Sequence, residues 1–151
     1  MKFEYIYTEK IIEGKIVYRN SENSFDIEPI INTDISVLIG NLNIGIDSEN
    51  FLIQQIWGYH PYSNWIKTEL ELPISKKGIL KLITKVEPGT TKRLESTLEW
   101  NTYFDEKTGW VCIGNKVLII NDNSIEILRN GIIVLAKNKM IKALWLKPNR
   151  I

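Results

Sequence analysis

The sequence predicts an all-β protein, mainly antiparallel, folded as a β-sandwich or β-barrel of about ten short strands with at most one or two short helices. Three observations carry this expectation. Apolar and polar residues alternate with a period of two along most of the chain, as half-buried strands require. Turn-forming residues recur every ~8–12 positions. No stretch offers the long helical period that would serve as a crossover between parallel strands.

The elements follow in order. Phe3-Glu4-Tyr5-Ile6-Tyr7 sets aromatic rings on one strand face, and the chain from Ile11 to Tyr18 is expected to fold back around Glu13-Gly14. The region from Pro29 to Val37 is a weak helical candidate, with Asn32 or Asp34 at its start. Leu42-Asn43-Ile44-Gly45-Ile46 alternates cleanly and meets the turn formers Asp47 to Asn50. Phe51 to Trp57 then reads as the returning strand of a hairpin. Trp65 to Leu72 alternates charge with apolar residues and stops at Pro73, which cannot donate to a ladder. Ile79 to Val86 is a further strand between Gly78 and Pro88-Gly89.

Thr91 to Phe104 reads either as a strand or as a short helix carrying Leu94 and Leu98 on one face. Strand is favoured because Thr and Trp are poorer helix formers. Four short strands are expected in the C-terminal third: Lys116–Ile120, Ile125–Arg129, Ile132–Ala136 and Met140–Leu146. Asn130-Gly131 predicts a two-residue type I′ turn with positive φ at both residues, bringing Ile127 near Val134.

The length fits one domain, residues 1–151, whose core needs neither disulfide nor metal. Cys112 is the single cysteine, so neither a disulfide framework nor a multi-thiolate zinc site is available. A lone thiol suits a reducing compartment, and no apolar run reaches signal-peptide or membrane-spanning length. The expectation is a soluble, cytoplasmic protein with no membrane association. Net charge is only +1, but it is unevenly distributed. From Asn20 to Ile66 there is no Lys or Arg, while Glu22, Asp26, Glu28, Asp34, Asp47 and Glu49 are acidic. Lys137, Lys139, Lys142, Lys147 and Arg150 crowd the last fifteen residues without an acid among them. Such separation either steers a charged partner or pairs internally.

The densest functional signal is Trp57-Gly58-Tyr59-His60-Pro61-Tyr62-Ser63-Asn64-Trp65, which holds four aromatic rings and the only histidine. Gly58 and Pro61 are expected to break the strand. Tyr59, His60 and Tyr62 would then sit exposed on a connection, with Trp57 and Trp65 anchoring it from below. Rings displayed in this way offer large contact area at low entropic cost.

Catalytic hardware is absent from the pattern. His60 has no neighbour in sequence to orient it, and only folding could bring Asp47 or Asp105 to it. No cluster has metal-ligand spacing, and Gly40 and Gly45 lack the rest of a phosphate-binding loop, so neither a metal nor a cofactor is expected. Glu69 with Glu71, and Arg93, Glu95, Thr97 and Glu99, read as solvent faces of strands. Cys112, within Trp110-Val111-Cys112-Ile113, reads as an inert buried thiol. Lys137, Lys139 and Lys142 beside Trp145 form the one candidate nucleic-acid patch. The near-neutral balance and the core commitment of these strands argue against it. The sequence therefore points to a non-catalytic binding protein. A basic protein partner is favoured, as for an inhibitor or immunity-type antagonist. A hydrophobic or carbohydrate ligand in the mouth of a β-barrel is the alternative, and an enzyme of another type comes third.

Overall fold

The alternation is realised as fifteen short strands in two sheets, more than the ten or so expected, because several are pieces of only two or three residues. A computed structural model describes residues 1–151. In chain order the strands are β1 (Phe3–Tyr7), β2 (Lys15–Arg19), β3 (Ser24–Glu28), β4 (Ile35–Ile39), β5 (Leu42–Ile46), β6 (Ile53–Tyr59), β7 (Ile66–Lys67) and β8 (Lys76–Leu82). They continue as β9 (Thr91–Arg93), β10 (Thr102–Phe104), β11 (Val111–Gly114), β12 (Asn123–Leu128), β13 (Gly131–Leu135), β14 (Ile141–Leu146) and β15 (Asn149–Arg150). Two single turns of 3-10 helix, Tyr62–Asn64 and Thr97–Glu99, complete the regular structure. No helix is long and apolar enough to cross a membrane.

One sheet has eight strands in the order β1-β8-β12-β13-β14-β11-β10-β7. The other has seven, in the order β15-β2-β3-β6-β5-β4-β9. They pack face to face as a sandwich, with 28 buried residues in one cluster between them. Alternation decides which side chains enter it. Ile35, Val37 and Ile39 of β4 with Leu42, Ile44 and Ile46 of β5 come from one sheet, and Leu80, Ile125, Ile133 and Leu144 from the other. Fully burying each such side chain is worth ~1.5–3 kcal/mol, against ~0.2–1 kcal/mol for a cross-strand surface pair, so the facing sheets dominate stability. Cys112, Ile132, Val134, Ala143 and Trp145 form a second cluster, with Leu70, Tyr103 and Trp110 packed against it. The middle of the eight-stranded sheet is therefore buried on both faces, and β13 has no exposed residue.

The sheets are mixed rather than purely antiparallel. β7–β10, β8–β12, β2–β15 and β4–β9 pair in parallel without any crossover helix. Each parallel ladder is only two or three residue pairs long, and the intervening chain returns through other strands instead. β1 pairs with β8 and β2 with β3, so no hairpin forms around Glu13-Gly14. Residues 29–37 hold no helix, and β4 begins at Ile35. Thr91 to Phe104 is neither one strand nor one helix: β9, a 3-10 turn and β10 divide it, with Leu94 buried and Leu98 in solvent.

Two expected strands fail to form because side chains capture their backbone N–H groups. Leu70 N–H donates to the Asp105 carboxylate at 3.0 Å, and of Trp65–Leu72 only β7 enters a ladder. Val117 N–H donates to Asn115 Oδ1 at 2.9 Å and Ile119 N–H to Asp122 Oδ2 at 3.0 Å, leaving Lys116–Ile120 unpaired. The expected β5–β6 hairpin does form, closed by a Phe51 N–H bond to Asp47 O at 2.6 Å. Three of the four sheet edges, β7, β9 and β15, are two or three residues long. The fourth, β1, has five and leaves Tyr5, Ile6 and Tyr7 exposed.

The turn between β12 and β13 also differs from the expected geometry. Arg129 and Asn130 form its tip, Leu128 faces Gly131, and only Asn130 has positive φ, at 66°. Ser124, rather than Ile127, lies opposite Val134, because the tip sits one residue earlier than expected, which moves the register by two, and a bulge at Ile127 moves it by one more. Gly131 is required for space: a Cβ there would collide with the Leu128 side chain and lie 3.2 Å from Ile16 Cδ1. We expect Gly131→Val to destabilise by ~1–3 kcal/mol in urea unfolding through overpacking, and Asn130→Gly to stay within ~0.5 kcal/mol of the parent. Equal effects at the two positions would contradict this assignment.

Candidate functional site

β6 decides how the aromatic segment is displayed. Gly58 adopts φ 131°, pairs with both Phe25 and Leu42, and carries the strand on to Tyr59 instead of ending it. A Cβ at Gly58 would come within 3.0 Å of Asn41 O and Asn43 Nδ2, so only glycine fits between the flanking strands. Alternation then sets Trp57 and Tyr59 on the solvent face of the seven-stranded sheet, 41% and 53% exposed, while Ile56 enters the core. The expected arrangement is thus partly inverted. Trp57 is a displayed ring rather than an anchor, and Tyr59 belongs to a strand rather than a loop.

His60, Tyr62 and Trp65 turn inward and close one end of the sandwich. The buried Trp65 ring lies 4.9 Å from Tyr18, 5.8 Å from Phe25, 5.0 Å from Tyr62 and 5.6 Å from Phe104, joining strands of both sheets. Tyr18 donates its hydroxyl to His60 O at 2.8 Å. Arg150 covers the cluster, its guanidinium 4.2 Å from the Tyr62 centroid, and donates Nη2–H to Asn20 Oδ1 at 2.8 Å. This cation–π lid has no local sequence signal, because Arg150 is remote in the chain from every ring it covers.

The His60 imidazole lies 5.9 Å from Phe25, and its Nε2 is 2.6 Å from the Thr102 hydroxyl. Burial pushes its pKa down to about 4, so it is neutral at physiological pH. Neither Asp47 nor Asp105 orients it. Asp47 accepts from Glu49 N–H, and Asp105 from the N–H groups of Leu70, Lys107 and Thr108, which hold its carboxyl below the usual range. Between the ends of the sheets lies a cleft of about 480 Å³ lined by Tyr59, His60, Asn64, Trp65, Trp100 and Thr102. The indole Nε1 of Trp65 is buried without a hydrogen-bond partner.

Beside the displayed rings the sheet is acidic. Ser24 of β3 pairs with Tyr59, and Arg19 is surrounded by Glu28 at 3.3 Å, Asp26 at 3.6 Å and Glu22 at 3.9 Å. Partial burial raises the Asp26 pKa despite the nearby guanidinium. Lys15 faces Glu28 across the ladder, while β3 to β6 contain no lysine or arginine. Asp34 instead accepts bonds from the Ser48 N–H, at 2.8 Å, and its hydroxyl. None of the six acids pairs with the basic C-terminal segment; Glu22, Asp26 and Glu28 pair with Arg19 instead.

The other candidates resolve as structure. Cys112 is buried, and burial pushes its thiol up to about 12. Glu69 meets Lys107 at 3.3 Å in solvent. Trp145 is fully buried and Lys142 pairs with Asp122, so no exposed basic–aromatic patch assembles there. No family model and no curated protein sequence matches the chain.

His60 makes stability depend on pH. Its folded pKa, about 4, lies below the ordinary 6.5, so the unfolded chain binds the extra proton in that window. The contribution is complete above 6.5 and is lost as pH falls toward 4. Between pH ~7 and ~4 the parent should lose up to ~3 kcal/mol more than His60→Gln in urea unfolding. Parallel pH profiles would show that the ring is not held neutral by folding.

Proposed function

We propose that the chain is a non-catalytic protein-binding module whose contact surface is the solvent face of the seven-stranded sheet around Trp57 and Tyr59. One observation carries the reading: two large rings, two residues apart on one strand, lie exposed on a sheet face beside the Glu22, Asp26 and Glu28 cluster. Aromatic residues at this density favour an interface, because they bury wide areas with few rotatable bonds. The partner is a protein presenting arginine or lysine, whose side chains would stack on the rings and pair with the carboxylates. An inhibitor or antagonist of a basic protein fits this chemistry. A reducing compartment such as the cytoplasm fits the lone buried thiol.

A second reading has its own support. The cleft of about 480 Å³ combines Tyr59 and Trp100 with Asn64 and Thr102. Rings and amides together suit a carbohydrate.

Immobilised protein should capture a basic partner that elutes as salt rises from ~50 to ~300 mM. Trp57→Ala and Tyr59→Ala should each weaken capture about tenfold while leaving the melting temperature within ~2 °C. Undiminished capture by the double variant would overturn the assignment of this face. Loss of binding to glycans on Trp100→Ala alone would favour the cleft.

A further inference from the structure

The outer face of the eight-stranded sheet carries a different feature. A cavity of about 860 Å³ opens between Glu69–Leu72 with Ile74 on one side and Lys116–Ile120 with Asp122 on the other; Ser124 and Trp145 also line it. Its walls are the two segments predicted as strands that remain unpaired. Apolar side chains there stand in water, with Ile74 98% and Ile120 96% exposed and Leu72, Val117 and Ile119 also exposed. Two fully solvated isoleucines on facing loops forfeit the burial that such side chains normally gain. The backbone of 116–121 hydrogen-bonds only to Asn115 and to Asp122, so little holds this loop to the sheet.

Beneath these loops are two polar atoms without partners. Asp122 has a side chain only 3% exposed. Its Oδ2 serves Lys142 and Ile119 N–H, yet its Oδ1 is buried and accepts nothing. Trp145 is fully buried, and its Nε1–H donates to nothing. One orphaned acceptor and one orphaned donor, each costly while unmet, therefore belong to residues that line the same cavity. The Asp122–Lys142 pair is already neutral as a unit, and the other charged residues of the lining, Glu69, Glu71 and Lys116, are exposed, so a charged group placed beside the pair would lose hydration without gaining a buried counter-ion. A neutral hydroxyl donates and accepts at once, which is the chemistry that the two orphans lack.

We infer that this cavity binds a small uncharged hydrophobe bearing a hydroxyl group. The hydroxyl would donate to Asp122 Oδ1 and accept from Trp145 Nε1–H, and the two loops would part to admit it and then close their isoleucines over the apolar body. The site lies on the other sheet from Trp57 and Tyr59 and goes beyond the protein-binding reading.

The test compares farnesol with its methyl ether, which has the same apolar body but no hydroxyl proton to donate, followed by intrinsic tryptophan fluorescence and calorimetry. Farnesol should bind saturably and about tenfold more tightly than the ether, the loss of one buried donor. Ile74→Ser and Ile120→Ser should each weaken both ligands about fivefold with an unchanged melting temperature, since neither side chain packs in the free protein. Trp145→Phe, which keeps a ring in place, should weaken both ligands alike, because either oxygen can accept from Nε1–H, and should leave the preference for farnesol unchanged. Equal affinities for the two ligands would overturn the proposal, as would the absence of saturable binding or indifference to both serine variants. So would a bound-state crystal structure in which one water bridges Asp122 and Trp145 and farnesol lies elsewhere.

Discussion

The burial of Trp65 between the two sheets is the contact on which the geometry of the aromatic segment depends. The ring meets Tyr18 and Phe25 from one sheet and Phe104 from the other, and Arg150 seals the cluster from outside. Because Trp65 is fixed inward, the chain between β6 and β7 must descend into the sandwich, taking His60 and Tyr62 with it. Trp57 and Tyr59 precede that descent and stay on the outer face. The same nine residues thus form a structural plug and a display surface, divided at His60. His60 is neutral because the same packing that buries Trp65 desolvates its ring.

The fold class was legible because strand alternation is local, and β5 declares its inward face within five residues. The pairing was not. β2 lies beside β15 and β4 beside β9, and such parallel ladders are fixed by how the whole core closes, with no turn between the partners to announce them. Sequence pattern also overstated strand content wherever a side chain could take the place of a ladder partner. Asn115, Asp105 and Asp122 each cap backbone N–H groups in runs that otherwise read as β.

At the candidate surface, the density of aromatic residues was visible but their direction was not. Glycine in a strand signals either a break or a close approach of neighbouring chains, and at Gly58 the second holds because Asn41 and Asn43 crowd the position. That single conformational choice exchanges the roles of Trp57 and the His60–Tyr62 pair. The charge pattern was likewise readable in outline. Arg19, just before the acidic run, supplies the cation that the distant lysines do not, so this acidic region is organised by its own strand neighbours.

The edges of the two sheets bear on how the protein behaves in crowded solution. β7, β9 and β15 are too short to template another chain, and β9 adds Lys92 and Arg93 to repel one. β1 has no such brevity, and its outer row of backbone groups runs beside Tyr5, Ile6 and Tyr7 with Glu4 as its only charge. Self-association of the folded protein therefore has one preferred starting line, the N-terminal strand. Glu4 is the natural gatekeeper there, since a single carboxylate repeated across two copies opposes the register that would join them.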